Sequence, residues 1–321
     1  MRSHPNPIVT LLLITPFLTE LLSNNLPPSV FFNPVVLLFL ATISYGFPVL
    51  LLRELACRKR MGIAGLICLG VLYGIINEGI IAKTFYLASG VPIDLFTGYG
   101  RVLGINVPWA ILISVWHAFH ALLYPILLTY YIFPDQRDEP WLSRQATTAL
   151  VVPTVLMTTL IFFTRSKQRE PGLLPHYILM LLGMGLLVWI AIKVARPAAL
   201  TGEKVFRVKP LFWGVAAFFS LFFILILFAG AKVPVVMFYG YSAVVFALLF
   251  RWLFKQSSLP VMTCLLFALG DDILLTLFAF IPAIRQGSIE KLTANAAFLV
   301  VFGFLIARLR RDSRSLLPPP S

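Results

Sequence analysis

The chain has 321 residues, 59% of them hydrophobic and only 12% charged, with a net charge of +13 and a mean hydropathy of +0.91. Soluble domains carry about 25% charged residues, so a water-soluble globular protein is excluded. The basic excess does not point to nucleic acid, because Lys and Arg sit in short segments between apolar runs and near the C-terminal end. That is the pattern of membrane orientation, not of a basic binding face.

The composition and the apolar runs predict an all-α, polytopic transmembrane helix bundle of about ten spans. Each run is long enough to cross about 30 Å of hydrocarbon. In chain order the spans fall at approximately 8–24, 31–52, 62–83, 107–133, 147–164, 175–193, 211–229, 234–254, 259–282 and 291–307. The alternating ten-residue segments of a membrane β-barrel are lacking. The first span is short and holds Pro16. Glu20 and Asn24-Asn25 follow it instead of a small-residue cleavage signal, so it reads as a retained helix. Residues 1–307 form a single transmembrane domain. The basic, Pro-rich stretch 308–321 is expected to be a disordered tail whose arginines meet anionic lipid. With the N-terminus inside, eighteen of the 26 Lys and Arg residues fall on the cytoplasmic side. This places both termini in the cytoplasm of a multi-pass protein of the cell membrane, with membrane lipids as partners. Cys57, Cys68 and Cys264 show neither a disulfide framework nor a cysteine-type zinc spacing.

Between the third and fourth spans, residues 84–106 make the longest outer connection. Phe85, Tyr86, Asp94, Tyr99 and Arg101 lie in it, and Trp109 follows. It is either an aromatic surface anchor or a lid. Lys83 before it is expected to snorkel to the outer surface, and His176 to reach the headgroups. Arg53, Glu54 and Arg58 read as a solvated interfacial cluster.

Ionisable residues inside the spans are few, and such groups persist mainly where they face polar partners or water. They are Glu20, Glu78, His117, His120, Asp271 and Asp272. Glu78 is about 24 Å along the third span from its inner end, and His117 and His120 lie about 15 and 20 Å into the fourth from outside. Asp271 and Asp272 come near the midplane, so the groups can meet in the outer half of the membrane. On the third span Gly70, Gly74 and Glu78 share one line, which directs Glu78 into a close helix contact. Asn77 and Tyr73 form the adjacent stripe. His117, His120 and Tyr124 share a face of the fourth span at α-helical spacing.

Three chemistries fit these residues. Two imidazoles with the neighbouring carboxylate, His117, His120 and Glu78, match a three-ligand divalent-metal site such as zinc. Without metal, a Glu78–histidine pair can activate water or relay a proton. Alternatively, each histidine makes only an interhelical hydrogen bond. Gly270-Asp271-Asp272 either breaks the ninth span, an aspartate capping the half-helix that follows, or marks an ion or substrate site of the broken-helix type. Thr276 stands one turn above Asp272.

The stretch Tyr73-Gly-Ile-Ile-Asn-Glu-Gly-Ile-Ile-Ala-Lys83 and Trp116-His-Ala-Phe-His120 resemble a set of uncharacterised prokaryotic multispanning membrane proteins. They are also distantly similar to the CAAX-processing and bacteriocin-immunity type of intramembrane glutamate protease. In that family a glutamate pair and an arginine share one helix, and an aromatic residue stands four before a histidine on another. Here Asn77-Glu78 occupies the pair and Trp116 stands four before His120. Asn77 replaces the water-activating glutamate, and Lys83 comes one position late. The resemblance implies an intramembrane hydrolase.

Function therefore stands between three classes. One is an intramembrane hydrolase, open to the outer face, with Glu78, His117, His120 and Asp272 as catalytic residues. Another is a proton-coupled small-molecule transporter using the same residues as its substrate and proton site, and Asn77, Tyr124, Asp271, Thr276 and Glu20 are the further candidates for binding substrate or protons. The third is a scaffold or accessory subunit whose polar residues only pin helices.

Overall fold

The computed structural model describes residues 5–87, 94–166, 174–193, 199–202 and 206–314. Ten helices answer to the ten apolar runs: α1 (Asn6–Leu21), α2 (Pro34–Arg58), α3 (Ile63–Ile81), α4 (Val107–Ile132), α5 (Arg144–Phe163), α6 (Leu174–Lys193), α7 (Lys209–Gly230), α8 (Val235–Lys255), α9 (Val261–Arg285) and α10 (Ile289–Ser313). Among the described residues, nine helices are long and apolar enough to cross a bilayer, and α1 is shorter. Among the described residues the strands form two short pairs. They are the antiparallel hairpin β1 (Arg101–Val102) with β2 (Ile105–Asn106), and the parallel pair β3 (Ala199–Thr201) with β4 (Ser258–Pro260).

The helices start where the sequence supplies caps. Asn33 Oδ1 accepts from the Val35 and Val36 amides at 3.0 and 3.3 Å, with Pro34 opening α2. Asn106 Oδ1 takes the Trp109 amide at 3.1 Å, with Pro108 in the first turn of α4. In both, the side chain satisfies amides that a helix start leaves open.

α3 and α4 form the centre. Buried residues make up 72% of the apolar window of α3 and 78% of that of α4, against none of α5 and 11% of α8. The central pair therefore carries the interior, and α5 and α8 present apolar sides outward. The predicted close contact on α3 is present. A Cβ on Gly70 would lie 2.4 Å from Ala118 Cα, and one on Gly74 would lie 2.6 Å from Ser114 Cα. Only glycine allows that backbone approach, and it brings Glu78 against α4.

The ninth span departs from expectation. α9 runs unbroken from Val261 to Arg285, so Gly270 does not split it and neither aspartate caps a half-helix. Gly270 serves a helix crossing instead: a Cβ there would fall 2.0 Å from the Leu211 carbonyl oxygen on α7.

Four other expectations change. Arg53 and Glu54 are wholly buried rather than solvated. Lys83 is buried, adopts a left-handed backbone (φ 58°) and sets its ammonium 3.9 Å from the centre of the Phe162 ring. His176 does not reach outward: it is buried, stacks on Tyr86 and donates Nε2–H to the Leu103 carbonyl at 2.5 Å. The expected tail begins as helix, since the last helical segment continues to Arg314. Residues 315–321, and the loop positions Arg2, Lys167, Arg169, Arg196 and Lys204, lie outside the described residues.

Candidate functional site

Five of the helices contain a π-helical turn: Phe17–Leu21 in α1, Leu40–Ser44 in α2, Ile75–Ile81 in α3, His117–Leu123 in α4 and Phe219–Phe223 in α7. Such turns are rare and gather at functional sites, because the widened ladder displaces side chains and frees carbonyls. Glu20, Asn77, Glu78, His117 and His120 all sit in them. In α1 the π turn follows Pro16, whose nitrogen has no hydrogen to give to the α ladder.

The π turn of α4 sends its two histidines to different neighbours. Residues three apart share a face in an α turn, but in the wider π turn they lie farther apart around the axis. His117 turns to α3. Its Nδ1–H donates to the Ile113 carbonyl at 2.9 Å, which leaves Nε2 to accept from Asn77 Nδ2 at 2.7 Å. Glu78 Oε1 stands 3.7 Å from the same Nε2, beyond hydrogen-bond reach. Glu78 Oε2 accepts the Thr84 hydroxyl at 2.5 Å, and Thr84 Oγ1 in turn accepts Trp109 Nε1–H at 3.0 Å. The Glu78 side chain keeps 13% exposure, so this carboxylate is reachable where the imidazole beside it is not.

Glu20 closes the first cluster. Its Oε1 accepts the Tyr45 hydroxyl, and the Tyr45 ring lies edge-on to that of Tyr73. The Tyr73 hydroxyl, from the stripe beside Glu78, donates to the Ser44 carbonyl at 2.5 Å, at the end of the α2 π turn. The connection after α3 folds over this end. Phe96 is buried against Trp109, Asn106 Nδ2–H donates to the Phe96 carbonyl at 2.6 Å, and Tyr99 donates to the Val233 carbonyl at 2.8 Å. Its described aromatic residues Phe85, Tyr86, Phe96 and Tyr99 pack inward as a cap rather than standing exposed as an anchor.

His120 turns to α9. Its ring stacks on Trp116, with Tyr124 and Phe222 edge-on. Nδ1–H donates to the Trp116 carbonyl at 3.3 Å. Nε2 lies 3.1 Å from Asp271 Oδ2 and 3.5 Å from Asp272 Oδ1. The Tyr124 hydroxyl donates to Asp271 Oδ2 at 2.7 Å. His120 Nε2, Asp271 Oδ1 and Asp272 Oδ1 are buried without a hydrogen-bond partner. Thr276 is buried beside them, but its hydroxyl bonds the Asp272 backbone carbonyl at 2.8 Å.

The sequence-predicted residues thus divide into two clusters on one π turn: Glu20, Asn77, Glu78 and His117 in one, His120, Tyr124, Asp271 and Asp272 in the other. The expected metal set of His117, His120 and Glu78 does not form, because Asn77 already occupies the His117 Nε2 lone pair. Among the described residues, the His, Cys, Asp and Glu groups close enough to share an ion are His120, Asp271 and Asp272. Tyr45, Thr84 and Trp109 were not singled out for the site by sequence reasoning. None of them is charged; Tyr45 and Thr84 reach Glu20 and Glu78 from other elements, and Trp109 reaches Thr84.

The family described as an uncharacterized membrane protein family matches residues 9–313. No curated protein and no solved structure matches the chain. The chain belongs to that uncharacterized membrane protein family and is a multi-pass membrane protein.

Proposed function

From the geometry of α3 and α4, we propose that the protein is an intramembrane hydrolase, protease-like in substrate, with Glu78 as general base. The observation that carries this is the state of the Glu78 carboxylate. It lies among buried helices, one oxygen is held by Thr84, and the other has only a distant imidazole at 3.7 Å. That second oxygen is free to accept a proton from water. As water attacks a carbonyl, its proton passes to Glu78, the C–N bond breaks, and the leaving nitrogen takes a proton from Glu20. Two carboxylates in different settings divide such work when one holds its proton and the other does not. Asn77 and His117 fix the α3–α4 contact that aims Glu78, and the Thr84–Trp109 link ties it to the cap. The excess of basic residues on the N-terminal side supports cytoplasmic termini and a site that opens outward.

A transporter reading has lost the feature that motivated it, since α9 is continuous. A passive scaffold has no use for acceptors left unpaired in the interior.

The test compares new protein termini in membranes of cells carrying wild type, Glu78→Gln or an empty vector. The expected result is a set of cleaved membrane-protein termini that needs wild type and falls at least 100-fold with Glu78→Gln at equal protein level. Identical termini in wild type and Glu78→Gln would overturn the hydrolase.

A further inference from the structure

We propose that His120, Asp271 and Asp272 bind a divalent transition-metal ion of the zinc type, which clamps the π turn of α4 to α9. The site is separate from the Glu78 cluster and does not depend on the hydrolase reading.

The argument starts from donors and acceptors. With Nδ1–H given to the Trp116 carbonyl, neutral His120 presents a lone pair at Nε2. Both aspartates are acceptors. Tyr124 supplies one donor, to Asp271 Oδ2, and after it one acceptor atom per residue is left over. The Nε2 lone pair on α4 faces Asp271 Oδ2 and Asp272 Oδ1 on α9 at 3.1 and 3.5 Å, an arrangement that repels unless a proton or a cation lies between them.

Geometry favours a metal over a shared proton. Nε2 is 3.1 Å from Asp271 Oδ2 yet forms no hydrogen bond with it, so the carboxylate stands off the axis along which a ring N–H would point. The nitrogen is 3.1 and 3.5 Å from oxygens of the two aspartates. Ligands bound at about 2.0–2.1 Å in a tetrahedron sit about 3.3–3.4 Å apart. One ligand atom from each of the three residues falls within 4.8 Å of the others.

The surroundings agree. A metal-bound imidazole gives its other N–H to a carbonyl or carboxylate, which fixes the tautomer, and a ligating carboxylate is itself hydrogen-bonded. Here the Trp116 carbonyl and the Tyr124 hydroxyl do these things. Trp116, Tyr124 and Phe222 wall the imidazole with aromatic rings. One nitrogen and two carboxylate oxygens suit zinc and similar ions, and three protein ligands leave a fourth position for water.

The experiment uses the full chain purified in detergent without chelator, with metal content measured by elemental mass spectrometry before and after zinc chloride followed by desalting. About one zinc ion per chain is expected in wild type and in Glu78→Gln. Asp272→Asn, which keeps side-chain shape, and His120→Ala should each retain at least tenfold less. X-ray absorption at the zinc edge should give a nitrogen and oxygen shell with no sulfur. Wild type that holds no zinc after loading overturns the site. So does equal zinc in wild type and Asp272→Asn, provided both elute as the same monodisperse species. Loss of zinc in Glu78→Gln as well would reassign the ion to the other cluster and also overturns it.

Discussion

Two groups of buried charge teach different things. Every side-chain nitrogen of Arg53 and both carboxylate oxygens of Glu54 have partners. Arg53 donates to Glu54 at 2.7 Å, to the Tyr130 hydroxyl at 3.1 Å and to the Arg137 carbonyl at 2.7 Å, with its guanidinium 3.7 Å from the Trp141 ring centre. Glu54 also accepts the Trp141 and Leu142 amides at 2.8 and 3.3 Å, and Arg58 at 3.3 Å. Around His120, Asp271 and Asp272, equally buried, three acceptors have none. A completed network fixes structure: this one staples the connection between α4 and α5 to the end of α2. An incomplete one leaves capacity for something to bind.

The comparison can be broken by experiment. The largest effect is expected at the completed cluster. Glu54→Gln removes the carboxylate charge and leaves Arg53 charged and buried, which costs about 3–5 kcal/mol. Thermal unfolding in detergent should show a large drop or loss of folded protein. A melt within a degree of wild type would mean that Arg53 is not held by this carboxylate.

The incomplete cluster should answer with the opposite sign. In the presence of chelator, Asp272→Asn removes one of two facing carboxylates. Its stability should equal or exceed that of wild type, because one of two facing buried carboxylates is removed. A loss as large as that of Glu54→Gln, with chelator present, would show that Asp272 is a paired structural charge. The smallest effect belongs to Arg137–Asp138 in the same connection. The contact is short, 2.6 Å, but the Asp138 side chain is 72% exposed. Asp138→Asn should change stability by less than about 0.5 kcal/mol, because exposed ion pairs are largely screened. A larger shift would extend the staple to include it.

Some of this was legible in the residues. The Gly70–Gly74–Glu78 line announced a close contact because small residues at four-residue spacing mark one side of a helix. His120, Tyr124, Asp271 and Asp272 stood out because charged and ring groups are scarce in apolar runs. Their separation from Glu78 and His117 into a second cluster was not legible. His117 and His120 were placed together by α-helical phase, and the π turn changed that phase. Thr84 and Trp109 carried no signal, because an uncharged hydroxyl after a span and an aromatic residue at a helix start fit ordinary interfacial chemistry.

Arg53-Glu54 shows the same limit from the other side. Two charges at a span end look solvated when only their own helix is considered. They are buried because Trp141 and residues 136–142 fold back over them.

By itself the sequence determined the class, the ten helices and which residues are costly to keep in hydrocarbon. Bilayer thickness is a one-dimensional requirement, so a run of apolar residues answers it locally. Only the tertiary structure decided which charge has a partner and which does not. Partnership depends on helical phase within a π turn and on a helix about 150 residues farther along the chain, such as α9 beside α4. Neither is a property of any local stretch of residues.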